Sequence, residues 1–125
     1  MANTQSLQIF LNQGKPEQDL LIFLGSLLGF LVESTDCEIP NATGFVQVTD
    51  YIQGFKQGLL ITWPSTAQLS LEPAEIARSI ATNLDVSVLL ESELDENGWI
   101  LASPSGQLKK TTVTYLDDGI DLANY

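Results

Sequence analysis

Apolar and polar residues alternate over "SLQIFLN" (6–12), the two-residue period of a half-buried strand. The period changes after "QGKP" (13–16). Leu20, Phe23, Leu24, Leu27 and Leu28 recur at helical spacing behind Pro16, Glu17 and Asp19, a proline suited to helix entry followed by carboxylates that favour a helix N-terminus. Leu21 and Ile22 are apolar as well, so this predicted helix is greasy around much of its girth and must be covered on more than one side. Gly29 is a natural stop. "FLVES" (30–34) then reads as a strand and "TDCEIPNATG" (35–44) as a loop. "FVQVTDY" (45–51) and "GLLITW" (58–63) read as two strands joined through "IQGFKQ".

The second half replays this order. "AQLSLE" (67–72) is strand-like, Pro73 opens a helix, and Ile76, Ala77, Ile80, Ala81 and Leu84 form its amphipathic stripe. "VSVLLES" (86–92), "WILAS" (99–103) and "KKTTVTYL" (109–116) follow as strands, with turns at "ELDENG", "PSGQ" and "DDG" before "IDLANY" completes an edge. Strand, helix, strand, strand, strand occurs twice, each time with proline at the helix start and Glu-Ser ending the next strand. The pattern predicts an α+β fold: two similar β-α-β-β-β units, 6–64 and 67–122, forming antiparallel sheet or sheets with both helices on one face, related by a pseudo-twofold axis. Barrel, sandwich and single continuous sheet all satisfy the pattern.

The chain has 125 residues, the length of one domain spanning 1–125, and 44% of them are hydrophobic, enough for a core without disulfide or metal staples. The longest apolar stretch, "LLIFLGSLLGFLV" (20–32), is too short to span a bilayer, which takes about 20 residues. "MANTQSLQIF" lacks the basic and apolar regions of a signal peptide. A single cysteine, Cys37, makes no internal disulfide and suits a reducing, cytoplasmic compartment. Its neighbours Asp36 and Glu38 disfavour a reactive thiolate.

Charge narrows the partners. Sixteen Asp and Glu against five Lys and Arg give a formal net charge of -11. That argues against nucleic-acid backbones and anionic membrane surfaces, and it suits a basic protein partner or a cation.

The sequence holds no histidine, which removes Ser-His and Cys-His nucleophilic pairs and histidine-ligated zinc. Neither GxGxxG nor GxxxxGK[ST] is present. Carboxylates remain. Glu91, Glu93 and Asp95 cluster before Asn97-Gly98, and Asp117, Asp118 and Asp121 cluster around Gly119. Oxygen-rich turns of this kind can hold Ca²⁺ or Mg²⁺. Asn-Gly and Asp-Gly between apolar runs are also ordinary hairpin turns, and that reading has the greater weight. No cofactor is implied.

"LLIFLGSLLGF" (20–30), ahead of a strand meander in a small acidic chain, resembles the secretion chaperones, small dimeric proteins that bind unfolded stretches of effector proteins. Those proteins end in a helix, whereas "TTVTYLDDGIDLANY" reads as strand. The residues together predict a non-enzymatic protein-binding domain of inhibitor, immunity or chaperone-like type, a homodimer through its greasy helix. Phe23, Leu27, Trp63 and Trp99 are its candidate contact residues, although large aromatics more often lie in cores. The alternative is a small-ligand or divalent-metal binder using the acidic turns.

Overall fold

The computed structural model describes residues 4–29, 32–34, 44–64, 72–91, 98–117 and 119–122. The fold is α+β, with two helices and ten strands among these residues. The elements are β1 (Thr4–Leu11), α1 (Glu17–Leu28), β2 (Val32–Ser34), β3 (Gly44–Asp50), β4 (Gln53–Gly54), β5 (Gln57–Pro64), α2 (Pro73–Leu84), β6 (Val88–Glu91), β7 (Trp99–Ala102), β8 (Leu108–Thr111), β9 (Val113–Leu116) and β10 (Gly119–Leu122). Seven strands form one sheet in the order β2-β3-β5-β1-β6-β7-β8, and three form a second in the order β4-β10-β9.

Strand alternation sorts the large sheet into two apolar faces. Leu7, Ile9 and Leu11 of β1 stand opposite Ile61, Leu59 and Gln57 of β5, and Ile9 and Leu11 also face Leu90 and Val88 of β6. This face continues through Val46 and Val48 on one side and Ile100, Ala102 and Leu108 on the other. Both helices close over it: Leu20, Leu24 and Leu28 of α1 and Ile76, Ala77, Ile80 and Ala81 of α2 share its core. The opposite face presents Phe10, Leu89, Trp99 and Leu101, and the small sheet covers these with Val113, Ile120 and Leu122, together with Phe55. The molecule is therefore three-layered, with helices, large sheet and small sheet stacked in that order. Each fully buried aliphatic side chain of these two cores contributes about 1.5–3 kcal/mol.

The helices follow their sequence signals. Pro16 precedes α1, the Leu20 N–H donates to the Pro16 carbonyl at 3.1 Å, and Gly29 ends the helix at φ 82° with its N–H on the Gly25 carbonyl. Pro73 is the first residue of α2, and Asp85 ends it in the left-handed region at φ 56°. Within the single chain the cover of α1 is partial: Leu21, Phe23 and Leu27 pack against the helix-side core, and Ile22 is 66% exposed.

Other departures concern the strands. β2 runs parallel to β3, not antiparallel, so the two do not form a hairpin. The connection through residues 51–56 contributes β4, which pairs parallel with β10. The predicted single strand 109–116 breaks at Thr112 into β8, in the large sheet, and β9, in the small one. The break lets Val113 cross to the far side and cover Trp99 and Leu89. β10 is central in its sheet, between β4 and β9, and completes no edge.

The two halves do not pair alike, since β6 is antiparallel to β7 where β2 is parallel to β3, and a twofold duplication is not displayed. The strand predicted over 67–72 lies outside the described residues. No helix among the described residues is long and apolar enough to cross a membrane.

Candidate functional site

Two concave surface features stand out. The first lies beside α1. With Leu20, Leu24 and Leu28 in the core, helical geometry turns Gln18, Ile22 and Ser26 to the outside. A groove of about 590 Å³ runs between this side of the helix and β2, lined by Leu21, Ile22, Gly25, Gly29, Val32 and Glu33, with Gln18 and Ser26 completing it. Val32 is buried and belongs to the helix-side core, so the groove floor is apolar. Gly25 interrupts the helix interior at a cost of about 1 kcal/mol against alanine, and it leaves that wall without a side chain. A Cβ at Gly29 would meet nothing within 4 Å.

The second feature is an acidic cleft of about 490 Å³ where the two sheets meet, lined by Asp50, Tyr51, Ile52, Asp117 and Gly119. Asp50 is the last residue of β3, and Asp117 begins the turn between β9 and β10. The cleft's shape comes from the 51–56 connection. The Tyr51 N–H donates to the Lys56 carbonyl at 2.8 Å, and the Lys56 ammonium donates to the Ile52 carbonyl at 3.3 Å. The Tyr51 ring rests against Phe10, with centroids 6.1 Å apart. It also covers Gly58, where an added Cβ would come within 2.9 Å of the ring.

The predicted site residues are thereby dispersed. Asp117 is exposed in the acidic cleft, beside Asp50, which the sequence did not single out. Asp121 does not line that cleft, and its carboxylate accepts the Leu122 N–H at 2.8 Å. Glu91 is exposed at the end of β6, opposite Trp99 of β7. Glu93, Asp95, Asp118 and Cys37 lie outside the described residues. Among the described residues no three His, Cys, Asp or Glu side chains are grouped so as to hold a metal ion.

The candidate contact residues point inward to differing degrees. Trp63 is 7% exposed, in the helix-side core, and its indole N–H donates to the Gln5 side-chain oxygen at 3.1 Å. Trp99 is 8% exposed, in the second core, 6.2 Å from the Phe10 ring. Phe23 and Leu27 are half-buried against the helix-side core. Ile22, which falls outside the helical stripe Leu20, Phe23, Leu24, Leu27 and Leu28, is the large apolar residue of α1 that stands out into solvent. No family model matches the chain, and neither the curated proteins nor the solved structures contain a match to it.

Proposed function

We propose that this protein is a non-enzymatic protein-binding domain that seats a partner in the groove between α1 and β2. One observation carries the reading: Ile22 is 66% exposed at the wall of an apolar groove, on a helix whose other aliphatic side chains serve the core. Exposed apolar surface in a concave setting marks a contact site more often than an isolated surface residue does. The net charge of -11 supports a protein partner over nucleic acid, and the single cysteine suits work in the cytoplasm. Whether the role is that of an inhibitor, an immunity protein or a chaperone depends on the partner.

The test is retention of proteins from a native extract of the source cells, compared between the immobilised wild type and Ile22→Asp. A discrete set held by the wild type and lost by the variant is expected. The same set on both, or none on either, overturns the reading.

A second reading rests on Asp50 and Asp117, carboxylates from two different elements that line one cleft. It makes the protein a binder of a divalent cation or a small cationic ligand. A ligand that binds only the native state raises its stability. Melting temperatures raised by Mg²⁺, Mn²⁺ or Ca²⁺ in the wild type but not in Asp50→Asn would favour it, and no rise with any of the three would remove it.

A further inference from the structure

We infer that the partner enters the α1–β2 groove as an extended segment added to the outer edge of β2, carrying an apolar side chain for Ile22 and Leu21 and a lysine or arginine for an acidic rim. The inference rests on the protein-binding reading above and specifies the conformation and charge of what is bound.

Conformation follows from the groove's lining. Successive strand residues point to opposite faces of a sheet. A groove that touches only one face of β2 would be lined by alternate residues. Here the consecutive residues Val32 and Glu33 both line it, so the groove runs along the strand's outer margin. Along that margin β2 is the terminal strand of the seven, and among the described residues it pairs with β3 alone. An unpaired edge offers backbone donors and acceptors to an incoming strand. A helix beside such an edge supplies side-chain contacts, the arrangement in which strand addition gives affinity through the backbone and selectivity through alternate side chains. Gly25 and Gly29 keep the helix wall low where the added strand would lie.

Charge follows from what surrounds the groove. Glu33 lines it, and Asp19 stands three residues before Ile22 on the same helix, hence on a neighbouring part of its surface. None of the chain's five Lys and Arg lines the groove. A second copy would bring a second acidic rim against the first and would be repelled. A segment mixing aliphatic with basic side chains complements both the floor and the rim.

A display library of random peptides panned against the whole protein tests this. Enrichment of peptides that combine Lys or Arg with aliphatic residues is expected. Their affinity should fall about tenfold or more in Ile22→Asp and in Glu33→Lys, and should weaken as salt screens the rim. Methylating the peptide's backbone nitrogens one at a time should abolish binding at alternate positions only, because alternate N–H groups face the neighbouring strand.

Peptides lost with Ile22→Asp but indifferent to Glu33→Lys, or bound as helices with no alternating methylation pattern, would leave the groove reading standing and overturn this inference. No enrichment, or binding indifferent to Ile22→Asp, would overturn both. Circular dichroism of the two variants confirms that each loss is not unfolding.

Discussion

The side chain of Gln57 forms two hydrogen bonds with the backbone of Lys15. The Lys15 N–H donates to Oε1 at 3.0 Å, and Nε2 donates to the Lys15 carbonyl at 2.9 Å. Gln57 is 3% exposed, the buried polar side chain of the described core. It opens β5 opposite Leu11, the last residue of β1, on the face that the helices cover. Lys15 lies in the connection that leads from β1 into α1. The amide thus behaves as one extra backbone unit, satisfying both polar groups of a connecting residue and fixing where α1 starts over the sheet.

Gln57→Leu keeps the volume and leaves the Lys15 N–H and carbonyl without these partners. Unsatisfied buried groups cost about 1–3 kcal/mol, so a loss of roughly 2 kcal/mol is expected in urea denaturation. Gln57→Glu separates the two bonds. A protonated carboxyl can donate to the Lys15 carbonyl and accept from its N–H, while a carboxylate can only accept. The glutamate is therefore held protonated in the folded state, with a folded value above its unfolded value of about 4.3. Its stabilising contribution is present below that pH and is lost as pH rises through it. The difference in stability from wild type should be small near pH 4 and grow toward pH 7. An equal deficit at both values would mean that the amide does not make these bonds.

The junction of the small sheet with the 51–56 connection depends on two glycines. A Cβ on Gly54, at φ +67°, would lie 2.1 Å from the Ile120 carbonyl oxygen, and one on Gly119 would lie 2.3 Å from the Gln53 carbonyl oxygen. Both obstacles are backbone, so no rotamer relieves them. Gly54→Ala and Gly119→Ala should each cost about 3 kcal/mol or more, combining left-handed strain at Gly54 with lost β4–β10 pairing at both. Gly14→Ala is the control. A Cβ there meets nothing within 4 Å, and its φ lies outside the left-handed region. It should be neutral or stabilising by about 0.5 kcal/mol. In a Trp63→Phe background, the fluorescence of Trp99 reports on the second core directly.

Leu89 and Leu90 are neighbours in β6 that serve different cores, Leu89 against the small sheet and Leu90 against the helices. In a sheet with one wet face, one of two adjacent positions accepts polar residues. Here Leu89→Gln and Leu90→Gln should both be strongly destabilising, each by about 3 kcal/mol, because each buries an amide without hydrogen-bond partners among aliphatic and aromatic neighbours. Tolerance of glutamine at Leu89, measured as an unchanged urea midpoint, would mean that the small sheet does not cover that face.

The same pair shows where the sequence was legible. The run "VSVLLES" identifies a strand because it is apolar and bounded by turn residues, but a continuous apolar run does not say what covers each face. The helices could be placed closely, because Pro16, Gly29, Pro73 and the stripe Ile76, Ala77, Ile80, Ala81 are local signals. The small sheet could not, since β4 is two residues long and exists through its pairing with β10, a contact between distant parts of the chain.

The split at Thr112 was hidden for a related reason. "KKTTVTYL" has uninterrupted strand character, and only the demand for cover over Trp99 and Leu89 divides it. At the candidate site, Ile22 lies off the stripe of Leu20, Leu24 and Leu28 that meets the sheet, but the sequence does not say whether another element covers that side of α1. Asp50 joined Asp117 only when the fold brought the end of β3 to the β9–β10 turn.

The greasy first helix had also pointed to a homodimer, and the exposed surface now lets that idea be weighed. A stable dimer buries about 1,200 Å² or more in total. The described α1 surface offers one strongly exposed aliphatic side chain, Ile22, beside carboxylates, and two copies each of charge -11 repel at low ionic strength. Light scattering should therefore return the monomer mass of 13.6 kDa over a wide range of concentration. Ile22→Asp should leave that mass unchanged, because no self-contact is lost. A mass near twice the monomer value in the wild type, reverting in Ile22→Asp, would mean that a second copy closes the α1 face. The groove would then be an interface between copies, and the peptide it was proposed to take would have to compete with the protein itself.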